Sequence, residues 1–393
     1  MKITTIPSWW GHPKSSEIFV SVSDKSHNGQ LQVLSATQDR GIVPRTEMDI
    51  DIKFDEKSLP TYKKVVPGNF VIHLRSFQGG LAYSDVEGII SPAYTILEPK
   101  VEICNDFYKY LFQSANYIKL LDSAVYGIRD GKQISYETFG VIRIPLPPLP
   151  EQRAIAEILT TADKLITVKE RLIAAKQKQK RWLMQNLLTG KMRLPGFNGT
   201  WEMIPFSEVF VENTMLTDDI EGTPLYSLTL ENGITKKTER YDRSHLVQKE
   251  NAYKIVRPND YAYNPMNITL GAVSRHKGKD NVAVSSYYDI FATIHYDDIG
   301  FFDNFLISPF MIKQYDKVAT GSVKEKQRVH FSQFIKFCLP LPTLEERQAI
   351  AEVLNTADRE IELLTKELEQ QKLIKKHLMQ QLLTGKTRVK VDD

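Results

Sequence analysis

Two stretches of the chain carry apolar residues at a seven-residue period. In the first they are Ile155, Leu159, Ala162, Ile166, Ile173, Leu183 and Leu187. In the second they are Ile350, Leu354, Ala357, Ile361, Leu364, Leu368, Leu378 and Leu382. Steps of three and four residues return each of these positions to one helix face, the seam of a coiled coil. Each stretch opens on an acidic residue, Glu151 or Glu346, which suits a helix N-terminus, and then runs without glycine or proline to Leu187 or Leu382. Gly190 and Gly385, each followed by lysine, stand where a C-terminal cap belongs. The prolines ahead (Pro145, Pro147, Pro148 and Pro150; Pro340 and Pro342) suit an extended lead-in and a first helical turn. The pattern predicts a helix over about residues 152–188, roughly 55 Å long at 1.5 Å per residue, and a second like it. Lys169, Lys176 and Lys180 interrupt the first seam, and Gln371 and Lys375 the second. Polar seam positions cost stability and specify register and partner.

The two stretches are copies. Pro145–Asp163 (PLPPLPEQRAIAEILTTAD) aligns with Pro340–Asp358 (PLPTLEERQAIAEVLNTAD) without a gap at an offset of 195, and Leu183–Arg193 (LMQNLLTGKMR) aligns with Leu378–Arg388 (LMQQLLTGKTR) at the same offset. So long a period marks a duplicated large unit, not a solenoid array. Weaker echoes at offsets of 191–194 fill the intervals. Leu34–Thr37 with Gly41-Ile42 answers Tyr226–Thr229 with Gly233-Ile234. Pro67–Phe70 answers Pro258–Tyr261, and Gly127 with Lys132-Gln133 answers Gly321 with Lys326-Gln327. Trp9 loosely answers Trp201, but the W-E-x-x-x-F-S-E-V opening of the second copy has no clear counterpart in the first.

The intervals read as short strands and helices. Val65–Leu74 and Lys254–Asn264 have the pattern of strand, turn, strand, and Ile89–Ile96 and Val282–Ile294 are β-branched and aromatic strands. Asp106–Leu121 and Asn304–Tyr315 read as amphipathic helices. The expected fold is mixed α/β: a variable domain over 1–144, a helical region over 145–193, a second variable domain over 194–339 and a second helical region over 340–393. Near-identical helix lengths and matched heptad phase favour antiparallel pairing within one chain about a pseudo-twofold axis, which would hold the two domains apart. Dimerisation through a coiled coil between chains is the competing arrangement.

Composition narrows the class. At 393 residues, 42% hydrophobic and 25% charged, the chain has material for two or three cores, which excludes bulk disorder and collagen. No apolar run is long enough to span a membrane or to serve as a signal peptide in MKITTIPSWWGHPK. The two cysteines, Cys104 and Cys338, lie in different halves and make no disulfide framework, so a cytoplasmic setting is expected. The net charge of +3 neither demands nor excludes nucleic acid. Its distribution is uneven: residues 151–193 carry 10 basic and 4 acidic side chains, against 16 and 16 over 1–150 and 16 and 19 over 194–345. Any nucleic-acid surface in the variable domains is therefore a local patch.

Such patches have candidates in the loops. The first domain offers Gln38, Arg40 and Arg45, then Arg75, Ser76 and Gln78, then Arg129, Lys132 and Gln133. The second offers Asn264, Asn267, Arg275, His276, Lys277 and Lys279, then Lys324, Lys326, Gln327 and Arg328. Arginine, lysine, asparagine and glutamine read base edges and hold phosphates. For any one of them a solvated loop is the simpler reading; as sets they point to DNA. Catalytic signatures are missing: no phosphate loop, no glycine-rich nucleotide fingerprint, no HExxH, no CxxC pair and no GxSxG. Asn264-Pro265-Met266-Asn267 is half of an N-P-P-Y-like methyltransferase motif and reads as a loop after a strand. No catalytic residue and no metal ligand is expected.

The segments PLPPLPEQRAIAEIL, LLTGKMR, PLPTLEERQAIAEVL and LLTGKTR resemble the two conserved regions of the specificity subunit of type I restriction–modification systems. LSATQDRGIVPR (Leu34–Arg45) and GTWEMIPFSEVF (Gly199–Phe210) resemble openings of that family's target recognition domains. The resemblance spans essentially the whole chain. It implies a non-catalytic phage-defence subunit that reads a bipartite site in double-stranded DNA, one half per recognition domain in the major groove, with the helices as a ruler. It also implies two modification subunits, which carry S-adenosylmethionine for DNA methylation. Two restriction subunits would use ATP and Mg to translocate and cut; no cofactor is implied in this chain. Unlike loops at Arg75–Gln78 and Asn264–Lys279 predict an asymmetric target, and near-neutral domains predict weak, salt-sensitive binding by the chain alone. The competing readings are an interaction protein dimerising through its coiled coil, a single-chain nuclease or methyltransferase, and the specificity chain of a type IIB-like system.

Overall fold

A computed structural model describes residues 6–38, 40–48, 56–124, 134–219, 221–236, 253–321 and 327–391. Two compact units emerge. Unit 1 comprises Met1–Glu170 and Lys366–Asp393, and unit 2 comprises Arg171–Thr365. Each joins a mixed α/β domain to a piece of both long helices, α1 (Leu149–Leu187) and α2 (Leu344–Leu382).

The centre of unit 1 is an antiparallel sheet of β1 (Phe19–Val22), β2 (Phe70–Ile72), β3 (Ala82–Tyr83) and β4 (Thr95–Pro99), in the order β1-β4-β2-β3. Unit 2 repeats it with β5 (Phe210–Asn213), β6 (Tyr261–Tyr263), β7 (Val273–Arg275) and β8 (Asp289–Thr293), in the order β5-β8-β6-β7. The register repeats too: Val20 faces Glu98 where Val211 faces Ala292, and Phe70 faces Leu97 where Tyr261 faces Phe291. Both cores are aromatic. Phe19 packs edge-on against Phe70 at 5.5 Å, and its counterpart Phe210 against Phe291 at 5.0 Å. Edge-to-face rings contribute about 0.5–1.5 kcal/mol beyond their burial.

The opening of the first copy has a counterpart after all. Its tryptophan is Trp10, not Trp9. Trp10 Nε1 donates to Glu151 Oε2 at 2.9 Å, as Trp201 Nε1 donates to Glu346 Oε2 at 3.1 Å. The bridges Gly11↔Leu146 and Lys14↔Arg143 repeat the pairs Glu202↔Leu341 and Pro205↔Cys338 of unit 2. Ser16-Glu17-Ile18-Phe19 then matches Ser207-Glu208-Val209-Phe210 at an offset of 191. The two helices expected over Asp106–Leu121 and Asn304–Tyr315 are each broken in two. Ser114 and Ser308 adopt N-cap roles, their hydroxyls accepting from Tyr117 N at 3.3 Å and Met311 N at 3.2 Å. The apolar period runs across both breaks and hides them.

The seam of the long helices is traced within each unit. In unit 1 Asp163 pairs with Lys375 and Lys169 with Glu367, both at 2.5 Å, and Glu170 with Lys372 at 3.3 Å. In unit 2 Lys176 pairs with Glu360 at 2.7 Å and Lys180 with Asp358 at 2.6 Å. Numbers rise along one helix as they fall along the other, so the strands of the pair are antiparallel in each unit. Ile155, Leu159, Ile173, Leu187, Ile350, Leu354, Leu368 and Leu382 are buried, and Ala162, Ile166, Leu183, Ala357, Ile361, Leu364 and Leu378 are partly buried. The seam lysines thus meet carboxylates. Exposed pairs add only about 0–1 kcal/mol each, so their contribution is chiefly to register. At the far ends, Gly190 (φ 68°) and Gly385 (φ 67°) adopt the left-handed conformation that closes a helix, and the LTGK segments are caps.

Candidate nucleic-acid interface

In each unit a hairpin stands beside the turn that follows the central sheet strand. In unit 1 the hairpin joins Leu34–Ala36 to Ile42–Pro44; in unit 2 it joins Tyr226–Thr229 to Gly233–Lys236. One threonine builds both tips. Thr37 Oγ1 donates to Gly41 O at 2.9 Å and accepts from Arg40 N at 2.9 Å; Thr229 Oγ1 donates to Gly233 O at 3.4 Å and accepts from Asn232 N at 3.1 Å. The frame therefore puts Arg40 and Asn232 at the same place, and both are exposed. The turns are also built alike. After β2, His73 Nδ1 accepts from Arg75 N at 3.3 Å; after β6, Asn264 Oδ1 accepts from Met266 N at 3.0 Å. Burial holds the His73 imidazole below its ordinary pKa, so it is neutral and free to accept.

The expected residues fall into three groups. Gln38, Arg40, Arg75, Gln78, Asn267, Lys277, Lys279 and Arg328 are exposed. Gln38 sits beside the turn of Arg75–Gln78, since a Cβ on Gly79 would lie 2.9 Å from its Cγ. Arg328 lies 5.5 Å over the Tyr287 ring, a flat cationic and aromatic face. Lys277 Nζ stands 3.7 Å from Asp303. The second group faces inward. Ser76 is 1% exposed and its hydroxyl accepts from His73 N; His276 is 3% exposed and its Nε2 lies 2.8 Å from Asp280 O. Arg275 makes a bidentate pair with Asp303 at 2.9 and 2.8 Å and donates to Asn259 Oδ1 at 2.6 Å. Tyr261 completes that network by donating to Asp303 Oδ1 at 2.9 Å, its hydroxyl kept protonated by burial and the neighbouring carboxylate. Arg45 is partly buried with Nε donating to Ser35 Oγ at 3.1 Å, and Asn264 and Gln327 are partly buried. Arg129, Lys132, Gln133, Lys324 and Lys326 lie outside the described residues.

In unit 2 the hairpin and the segment Val273–Gly278, which is β7 and the residues after it, enclose a cleft of about 780 Å3, closed on a third side by Phe302, Asp303, Leu306 and Ile307. Thr229, Asn232 and Lys236 line it and were not among the residues expected from sequence. The repeat pointed to them: Asn232 is what Arg40 becomes at an offset of 192. Among the described residues no cluster of His, Cys, Asp or Glu could hold a metal ion, and no helix is long and apolar enough to cross a membrane.

Residues 20–176 match the family described as the type I restriction modification DNA specificity domain. The chain is 30% identical over 339 residues to the type I restriction enzyme MjaVIII specificity subunit of Methanocaldococcus jannaschii, covering 77% of this chain and 75% of that protein. Two solved structures share the fold. The HsdS subunit from Thermoanaerobacter tengcongensis gives a TM-score of 0.51 at 16% identity, with 98% of both chains covered. The type I restriction–modification S subunit from M. genitalium gives 0.55 at 12% identity, with 97% of this chain and 98% of that one covered.

Proposed function

This chain belongs to the family of type I restriction enzyme specificity subunits, and from that premise we propose that it is the non-catalytic reader of an asymmetric, bipartite DNA target. Each unit reads one half-site in the major groove. The paired helices set the length of unread DNA between the halves and dock two modification subunits, which two restriction subunits then join. S-adenosylmethionine belongs to the modification subunits, and ATP with Mg to the restriction subunits; this chain contributes recognition and spacing.

One observation carries the reading. The threonine-built tip is the same in both units, yet it presents Arg40 in one and Asn232 in the other. A common frame with unlike polar tips suits two readers of unlike sequences, because base edges are told apart by donor and acceptor pattern. The exposed sets Gln38, Arg40, Arg75 and Gln78, and Asn232, Asn267, Lys277 and Lys279, are the proposed contacts. Arg275, Ser76 and His276 support them by holding the turns. The cross-helix ion pairs within the chain favour this reading over an interchain coiled coil.

Selection from random duplexes by the chain with its modification subunit tests it. The expected product is a gapped motif with unlike halves, and Arg40→Ala relaxes one position of one half at a cost of about 1–3 kcal/mol. An ungapped or palindromic motif would overturn the reading. In the same assay, one heptad inserted after Lys176 lengthens the gap or abolishes selection.

A further inference from the structure

Unit 1 keeps open a cleft that unit 2 fills. The cleft, about 260 Å3, lies between the helix Ala115–Ala124 and the last turns of α2, and its lining includes Leu111, Tyr117, Met379 and Leu383. Tyr117 is fully buried, and its hydroxyl has no hydrogen-bond partner among the described residues. The serine caps align the two units here residue for residue. Ser114 corresponds to Ser308, so Asn116 stands where unit 2 has Phe310, while Met379 and Leu383 stand where it has Met184 and Leu188. Phe310 packs against the core cluster that contains Met184 and Leu188, its ring 6.0 Å from Phe305. In unit 1 Asn116 is exposed and Met379 is only partly covered. At this position the duplicated copy carries an aromatic ring packed on its core.

We propose that the cleft of unit 1 is a socket for one aromatic side chain of the modification subunit, carried on a segment with acidic neighbours. This rests on the reading of the chain as a specificity subunit. The volume falls below the roughly 300–1,000 Å3 of small-molecule sites and suits a single side chain. Aromatic anchors in fully desolvated pockets are the usual hot spots of protein interfaces. The lip is basic, with Lys372, Lys375 and Lys376 among the lining residues. Lys375 and Lys372 are answered by Asp163 and Glu170, and exposed Lys376 adds a further positive charge, so acidic neighbours of the ring are favoured. Because unit 2 supplies its own ring, the two units dock the modification subunit unequally.

Titration calorimetry of the full chain with purified modification subunit tests the socket. The wild type should show one tight and one weaker site. Asn116→Phe, which places in unit 1 the ring that unit 2 already has, should weaken the tight site at least tenfold without lowering the melting temperature. Lys376→Glu, on an exposed residue that leaves the core untouched, should weaken it severalfold, more at low salt than at high. Wild-type affinity in both variants overturns the socket alone. Absence of any wild-type binding overturns the socket and the specificity-subunit docking together. A self-associating chain whose dimer Asn116→Phe abolishes assigns the cleft to a second copy and also overturns the proposal.

Discussion

Both units start a long helix on a buried glutamate, but among the described residues only unit 2 answers it with a cation. Glu346, 1% exposed, accepts from Arg193 Nε at 2.6 Å, from Arg193 Nη2 at 2.7 Å and from the Trp201 indole at 3.1 Å. Glu151, 2% exposed, accepts from the Trp10 indole at 2.9 Å, and its Oε1 has no hydrogen-bond partner among the described residues. Arg388, the counterpart of Arg193 at an offset of 195, lies instead 5.3 Å over the Trp9 ring. A duplication preserves strand order and register while single interactions drift. Under the proposed function, the same drift at Arg40 and Asn232 would let one frame read two sequences.

Removing the cation separates the units most sharply. Arg193→Ala leaves Glu346 buried with only an indole donor and should cost about 3–5 kcal/mol, the penalty of breaking a buried pair. Arg388→Ala removes an exposed cation–π contact and should cost about 1 kcal/mol or less. Denaturant unfolding followed by hydrogen exchange, which reports each unit by itself, checks both. Equal costs would break the comparison.

Acid should separate them less strongly. Burial holds His73 below the ordinary histidine pKa, so the unfolded chain takes up its proton first as pH falls below about 6.5. The stability contributed by neutral His73 is complete above that pH and is lost below it; His12, also lowered by burial, acts with the same sign. Unit 2 carries Asn264 at the corresponding position, which does not titrate. Asn-for-His exchange, His73→Asn, should flatten the acid limb of exchange protection in unit 1 and leave unit 2 unchanged. An unaltered limb would remove His73 from this account.

What could be read from sequence was what repeats locally. The heptads and the ungapped 195-residue offset carry their own period, so the helices and the duplication were legible. The helix breaks were not, because Ser114 and Ser308 interrupt the backbone without interrupting the apolar pattern. Adjacent tryptophans obscure the first opening: Trp9 and Trp10 both lie near the place of Trp201, and the one that reaches Glu151 is Trp10. Within the loops, sequence does not separate exposed side chains from those that hold a turn. Arg275 looks like a reader in sequence, but its partner Asp303 lies 28 residues away and no local pattern announces it. Asn232 stands at the place of Arg40 in a weak echo of the repeat, where across the tip only the flanking threonine and glycine match.

The central claim is that one chain carries two independent readers. Exchanging residues 1–144 for the same stretch of another specificity subunit, then mapping methylated positions across a genome, tests it most directly. One half of the methylated motif should change while the other half and the gap persist. A change in both halves, or in neither, would contradict the account.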